Sequence, residues 1–240
     1  MIRVTLHAIW GIYAWLVFGL CALSALVLVA IVPGQPRRDR ITTAAARAVF
    51  ILAGVKTTVN GSENLPDGNS VVVANHASYV DGPLLKAYLP PRFSFVIKGE
   101  MRDIPVVHFL LRRSGSRFVE RHSHEGSARD ARAIVKAAKS GQGLAVFPEG
   151  TFRLEPGVGR FRAGAFAAAR QGDMPVVPVA ISGTRHILPA GRYLPRPGPI
   201  VIDILPPIMP ADPEFSDGKQ LAEAARQRVI ATLGEPDLLN

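Results

Sequence analysis

The stretch from Val71 to Pro83 reads V-V-V-A-N-H-A-S-Y-V-D-G-P. Val71, Val72 and Val73 are consecutive β-branched residues, which suits a strand covered on both faces, since neither alternating set of side chains offers a wet side. Asn75 breaks the apolar run, and Asp81-Gly82-Pro83 has the form of a helix start, a capping carboxylate with proline just inside the first turn. The helix that follows carries Leu84, Leu85 and Tyr88. His76 and Asp81 therefore fall on the connection after a strand, where open α/β sheets hold their ligands. On one continuous helix, residues five apart would diverge by about 140°. A bent loop instead lets the carboxylate hold one ring nitrogen of His76 and frees the other as a general base for an incoming hydroxyl. The same two residues also fit a loop histidine beside a helix-capping aspartate.

Further along the chain the pattern repeats. Phe93 to Ile97 alternates as a short strand, and Gly143 to Phe147 is another buried strand that ends in a polar loop, Pro148-Glu149-Gly150-Thr151. Ser127 to Ser140 has the periodicity of an amphipathic helix, Ala163 to Gln171 is a small-residue helix, and Val176 to Ile181 and Pro199 to Leu205 read as strands. Leu221, Ala225, Val229 and Leu233 mark the buried stripe of a closing helix, with Gly234 beyond it. This alternation gives an α/β fold, a mixed central sheet flanked by helices.

The N-terminus differs in kind. No charged side chain lies between His7 and Arg37, and Ala8 to Val32 is a proline-free apolar run. At about 1.5 Å per residue it reaches roughly 37 Å, enough to cross a hydrocarbon core of about 30 Å with tilt. That is too long for the apolar region of a cleaved signal peptide. Trp10, Tyr13 and Trp15 cluster as interfacial aromatics do, and Arg37, Arg38 and Arg40 place the other end on the cytoplasmic side. Ile41 to Val55 can form a second helix, so one full span and a two-helix hairpin in a single leaflet both remain open. Gly54 to Asp67 reads as a junction, with Asn60-Gly61-Ser62 a turn before the first strand. The chain divides into membrane-anchoring helices, residues 1–56, and a catalytic domain, residues 57–240.

The 28 Lys and Arg against 19 Asp and Glu leave a formal charge of +9, which calls for an anionic partner without naming it. The only cysteine, Cys21, lies in the apolar run, which excludes an internal disulfide, a Cys-x-x-Cys metal site and a plausible thiol nucleophile. No G-x-S-x-G, G-x-x-x-x-G-K-S/T or G-x-G-x-x-G occurs, so neither a serine-nucleophile hydrolase nor a nucleotide site is supported. Arg112, Arg113, Arg117 and Arg121 are either a solvated basic face or an anion site. His122 and His124 sit in a Ser- and Gly-rich loop without a third ligand at a set spacing, so no metal is expected. The loop from Phe152 to Arg162 holds Arg153, Arg160 and Arg162 among glycines and prolines, flexible and cationic enough to embrace a phosphate.

Four segments in order carry a resemblance. N-H-A-S-Y-V-D resembles the N-H-x4-D motif of the 1-acyl-glycerol-3-phosphate acyltransferases and related lysophospholipid acyltransferases. Gly115 to Arg121, led by Lys98-Gly99-Glu100 and Pro105, resembles their second block, Phe147 to Thr151 the third, and Val177-Pro178-Val179 the fourth. The resemblance implies transfer of an acyl group from coenzyme A or acyl carrier protein to a lysophospholipid hydroxyl, with the thioester as co-substrate and no cofactor. It makes His76 the base and Asp81 its orienting partner. It assigns Glu149, Gly150 and Thr151 to acceptor binding and Lys98 and Arg121 to positions near the acceptor phosphate. It also implies the one-leaflet hairpin. The family pattern follows Glu-Gly-Thr with arginine; here Phe152 intervenes and Arg153 takes that role. The expected reaction is acylation of 1-acyl-glycerol-3-phosphate to phosphatidic acid at the cytoplasmic face of the inner membrane, with the bilayer as partner and no nucleic acid. Another lysolipid acceptor, such as a lyso-aminolipid, is the alternative. From a different class, a membrane-tethered binder of anionic lipid or nucleic acid would use the basic face without turnover.

Overall fold

The computed structural model describes residues 2–119 and 143–239. The helix expected at 127–140, and Arg121, His122 and His124, lie outside the described residues.

Seven strands form one sheet: β1 (Thr57–Asn60), β2 (Val71–Ala74), β3 (Phe93–Lys98), β4 (Arg117–Val119), β5 (Gly143–Val146), β6 (Val176–Ser182) and β7 (Ile200–Ile204), in the spatial order β1-β7-β6-β2-β5-β3-β4. All neighbours are parallel except β6 and β7. The three valines behave as their branching requires. Val71 and Val73 pack with Leu144, Val176 and Phe166 on one face, and Val72 packs with Ala145, Val177, Leu84 and Ile202 on the other. All three are fully buried. The first face is covered by α5 (Gly164–Gln171) and α7 (Gly218–Leu233), with the short α6 (Thr184–Ile187) between them in the chain, and the second by α3 (Asp81–Tyr88) and by Phe50 of α2 (Gln35–Leu52).

Three short elements escaped the sequence reading. β1 lies where a junction was expected, as a polar edge strand paired with β7. β4 and α4 (Pro105–Arg113) occupy the arginine-rich segment, whose charges mask the apolar positions of a helix with no buried residue. The second helix begins at Gln35, not Ile41, so Arg37, Arg38 and Arg40 stand on its first turns. Pro36 permits this early start, because the first helical turn has no use for its missing N–H.

α1 (Ile2–Ile31) and α2 run antiparallel across a short turn. Ala14, Val17, Cys21, Ala25 and Val29 form the inward stripe of α1, while Leu6, Ile9, Leu16, Leu20, Leu23 and Ile31 are exposed. Thr5–Ile31 is long and apolar enough to cross a membrane, a candidate anchor. Arg113 donates to the carbonyls of Val29 and Ala30 at the end of α1, at 2.8 to 3.1 Å, and Trp10 and Tyr13 donate to Ala53 and Leu52 at the end of α2, at 3.0 and 2.9 Å. Carbonyls at helix ends lack intrahelical partners, and these side chains supply them. Gly11 is required where α1 meets the chain after β6, since a Cβ there would stand 2.7 Å from Leu194 Cγ and the Pro195 carbonyl.

Asn75 extends the ladder past the end of β2. Its amide donates to the Ile181 carbonyl at 3.0 Å and accepts from the Ile181 N–H at 2.7 Å, so a side chain acts as one more peptide pairing with β6. Asn75→Ala should lower stability by roughly 2–4 kcal/mol, because both groups of a buried peptide lose their partner. Denaturant unfolding of the full chain in detergent measures this, and a loss below about 0.5 kcal/mol would show that the two bonds are not needed.

Candidate active site

The register of β2 against β5 builds the site. Val73 pairs with Val146, so the chain leaves both strands level, and His76 and Glu149, each three residues on, emerge side by side at the C-terminal edge. The His76 N–H donates to Glu149 Oε1 at 2.8 Å, and Glu149 Oε2 accepts from the Gly159 N–H at 2.9 Å. Glu149 thus clamps two loops through their backbones. Burial pushes its carboxyl above the ordinary range, against the lowering effect of the two N–H donors. It does not face open water.

Asp81 is fully buried. It does not cap α3, whose first residue it is. Its carboxylate turns back onto the preceding loop, where Oδ2 accepts from the Ala77 and Ser78 N–H groups at 2.7 and 2.8 Å and lies 2.9 Å from His76 Nδ1. With two amides already on that oxygen, the contact is best filled by Nδ1–H donating, which leaves the lone pair on Nε2. The loop is pinned on its other side by Ser78, whose hydroxyl donates to the Leu188 carbonyl at 2.7 Å.

Aromatic rings fix the imidazole. Phe147 stacks on His76 with centroids 4.2 Å apart, and Phe152 meets it at 4.6 Å, itself packed edge-on against Tyr79 at 4.7 Å. Phe152, the residue that interrupts the expected Glu-Gly-Thr-Arg pattern, is therefore a wall of the histidine site. His76 keeps 18% of its side-chain surface open. The loop that follows His76 borders a pocket of about 120 Å³ with almost wholly apolar walls, lined by Trp10, Ala14 and Phe18 of α1, Phe50 of α2, and Tyr79, Val80 and Pro83, though not by His76 itself.

The remaining expected site residues are dispersed. Gly150 makes the turn after Pro148 in the left-handed region at φ 83°, and Thr151 and Arg153 are exposed on the loop that follows. Arg160 and Arg162 are exposed further along the same loop. Lys98 ends β3, two strands from His76, paired with Val119. Arg121 lies outside the described residues. Sequence reasoning missed Phe147 and Phe152 as ring contacts, Gly159 as a backbone donor, and Arg185, which holds the Arg153 carbonyl at 2.9 Å. Only Phe152 left a signal, as the break in the motif.

The fold and site together are a parallel-rich α/β sheet with a His-Asp pair at its C-terminal edge and an apolar helix pair against it, and the comparisons place this arrangement in a known family. A family model described as Acyltransferase matches residues 56–182, and the chain belongs to that family. It is 28% identical over 188 residues to a 1-acyl-sn-glycerol-3-phosphate acyltransferase of Saccharomyces cerevisiae, covering 77% of this chain and 62% of that protein. It is 33% identical over 190 residues to one from Chlamydomonas reinhardtii, covering 77% and 54%. It is also 31% identical over 193 residues to the lyso-ornithine lipid O-acyltransferase of Pseudomonas aeruginosa, covering 74% and 71%. The chain thus spans about half to two thirds of these relatives' lengths. The crystal structure of the 1-acyl-sn-glycerophosphate acyltransferase PlsC from Thermotoga maritima superposes with a TM-score of 0.80 at 26% identity, over 96% of this chain and 95% of that one.

The Glu149 clamp carries a pH signature. A carboxyl whose folded pKa is raised stabilises the fold fully below its ordinary value of 4.5, and that contribution is lost as pH rises through the folded value. The stability of the wild type relative to Glu149→Gln should therefore fall as pH climbs from about 4.5 toward neutrality, measured by thermal unfolding across that range. A difference that grows with pH would mean that the two N–H donors outweigh burial.

Proposed function

We propose that the chain is an O-acyltransferase that moves a fatty acyl group from an acyl thioester, on coenzyme A or acyl carrier protein, to the free hydroxyl of 1-acyl-glycerol-3-phosphate, giving phosphatidic acid. The observation that carries this reading is the His76–Asp81 contact at 2.9 Å, on an imidazole that keeps a solvent-open edge and whose loop borders an apolar pocket.

In this mechanism His76 Nε2 takes the proton of the acceptor hydroxyl as its oxygen bonds to the thioester carbonyl carbon. Asp81 holds the ring and favours the imidazolium that forms. The tetrahedral intermediate then expels the thiolate, which takes the proton back from His76, so the ester forms as the thioester breaks and no acyl-enzyme intervenes. The apolar pocket suits an alkyl chain, and Glu149 positions the histidine loop through the His76 N–H. Lys98, Arg121 and Arg153 are assigned to the acceptor's phosphate side, with Gly150 and Thr151 shaping that loop.

Residues 1–56 serve as the membrane anchor and residues 57–240 as the catalytic part. α1 touches the catalytic part near both Gly11 and Val29, 18 residues or about 27 Å apart along its axis. A helix crossing the bilayer could not do this without drawing the sheet into hydrocarbon. The hairpin lodged in one leaflet is therefore the reading we adopt, on the cytoplasmic face of the inner membrane. A second acceptor, a lyso-aminolipid, is favoured by the lyso-ornithine lipid O-acyltransferase relative, of whose length the chain covers 71%, and by Phe152 in place of the motif arginine.

His76→Ala should lower kcat by about 10²–10⁴-fold while the unfolding midpoint stays within a few degrees. Asp81→Asn should do likewise, since an amide N–H turned toward Nδ1 puts the ring proton on Nε2. A labelled-thioester assay with lysophosphatidic acid and lyso-ornithine lipid as acceptors reads both. Transfer that persists in His76→Ala rejects the base assignment, and a wild type that binds these lipids without turnover points to the binder reading.

A further inference from the structure

The loop that carries the exposed arginines is held from a direction the reaction itself does not call for. Arg185, in the short helix Thr184–Ile187 after β6, donates from Nη1 to the carbonyls of Arg153 and Glu155, both at 2.9 Å, and from Nη2 to the Gly157 carbonyl at 3.4 Å. The same Nη2 meets Glu235 Oε2 at 3.1 Å, and that oxygen accepts the Gly157 N–H at 2.9 Å. Glu235 opens a C-terminal strap. The Val158 N–H donates to the Pro236 carbonyl at 3.0 Å and the Leu238 N–H to the Val158 carbonyl at 3.2 Å, so residues 236–238 lie along the loop like an added strand.

The strap is itself fastened to the core. Asp237 receives both terminal nitrogens of Arg226, at 2.7 and 2.8 Å, and Arg226 is a buried residue of α7 also held by Glu223. Arg226 holds the Asp237 carboxyl down at about 2, so the attachment persists at any physiological pH. At its far end the loop passes Gly159, whose N–H reaches Glu149 and so the His76 backbone. The loop therefore carries exposed Arg153 and Arg160, while its backbone is fixed by a guanidinium and by residues 235–238.

We propose that Arg185 and the strap Glu235–Leu238 are positioning residues for the acceptor head group: they hold the backbone of residues 153–159 so that Arg153 and Arg160 meet the anionic end of the lysolipid. The proposal rests on the acyltransferase reading above. Arg185 directs its fork at carbonyls of the loop, so it acts through that backbone and not on the reacting atoms. A flexible loop would have to be ordered each time an acceptor binds, a cost this device removes beforehand. Arginine is needed because a single ammonium cannot span three carbonyls and a carboxylate at once.

The test uses the full chain in mixed micelles with an acyl thioester and either lysophosphatidic acid or lyso-ornithine lipid. Arg185→Ala should raise KM for the acceptor about tenfold or more, with kcat and KM for the thioester within about threefold. Arg185→Lys should not restore the acceptor KM. Glu235→Gln, a milder change that keeps the strap's backbone pairing, should raise it less, and the double variant should fall short of the product of the two effects. Unchanged acceptor KM in folded Arg185→Ala overturns the proposal, as does a parallel loss of kcat and both KM values with a lowered unfolding midpoint, the mark of a merely structural role. A wild type without turnover on either acceptor overturns the acyltransferase reading first and this inference with it.

Discussion

Three N–H groups converge on one oxygen of a carboxylate that has no access to water. Asp81 Oδ2 takes the amides of Ala77 and Ser78 and faces His76 Nδ1, all within 2.9 Å. A buried carboxylate is tolerated only where donors replace its hydration, and here every donor comes from the segment it must hold. The acid and the loop therefore fix each other: moving the ring frees a donor, and opening the turn strips two more. Five residues of separation suffice because the carboxylate reaches back across the turn instead of forward into its own helix.

Glu149 repeats the arrangement one strand away. Its two oxygens take one amide each from the histidine loop and from the arginine loop, so a single side chain couples segments that emerge from β2 and β5. The level register of those strands makes the coupling possible, and the Asn75 amide secures the neighbouring strand by mimicking a peptide. The site is rigid for a general reason: backbone groups at the sheet edge must find partners, and the acids that satisfy them are those that shape the chemistry.

Much of this was legible in the residues. The run Val71-Val72-Val73 required cover on both faces and has it, and the His76-to-Asp81 spacing required a bent loop and has one. Gly143 to Phe147 and Val176 to Ile181 carried enough branched and apolar residues to be read as strands, which the structure ends at Val146 and Ser182. What escaped was carried by backbone groups or by weak patterns. β1 is four residues of mixed polarity at an edge, and α4 exposes every side it has. Glu149 was assigned to acceptor binding by resemblance alone, and the amide partners it has here are ones no side-chain pattern displays. Arg185 was invisible for the same reason, its partners being carbonyls about 30 residues earlier and a carboxylate 50 residues later.

The N-terminal helices follow the same rule in a different solvent. In hydrocarbon a helix end has no water to satisfy its last carbonyls. Trp10, Tyr13 and Arg113 supply such bonds from within the chain, the first two closing the end of α2 against α1 and the third closing the end of α1 against α4. The outward face of α1 is mostly apolar, with His7 and Ser24 also exposed, while Trp10, Ala14 and Phe18 line the pocket that borders the histidine loop. In the proposed one-leaflet setting, α1 would have lipid on one side and the histidine loop on the other. In the proposed reaction an alkyl chain need never pass through water to reach the imidazole, and the polar head group can stay where the arginines of residues 153–162 lie. The bonds that satisfy these terminal carbonyls are also what hold α1 against α2 and α4, and so against the pocket at the histidine loop.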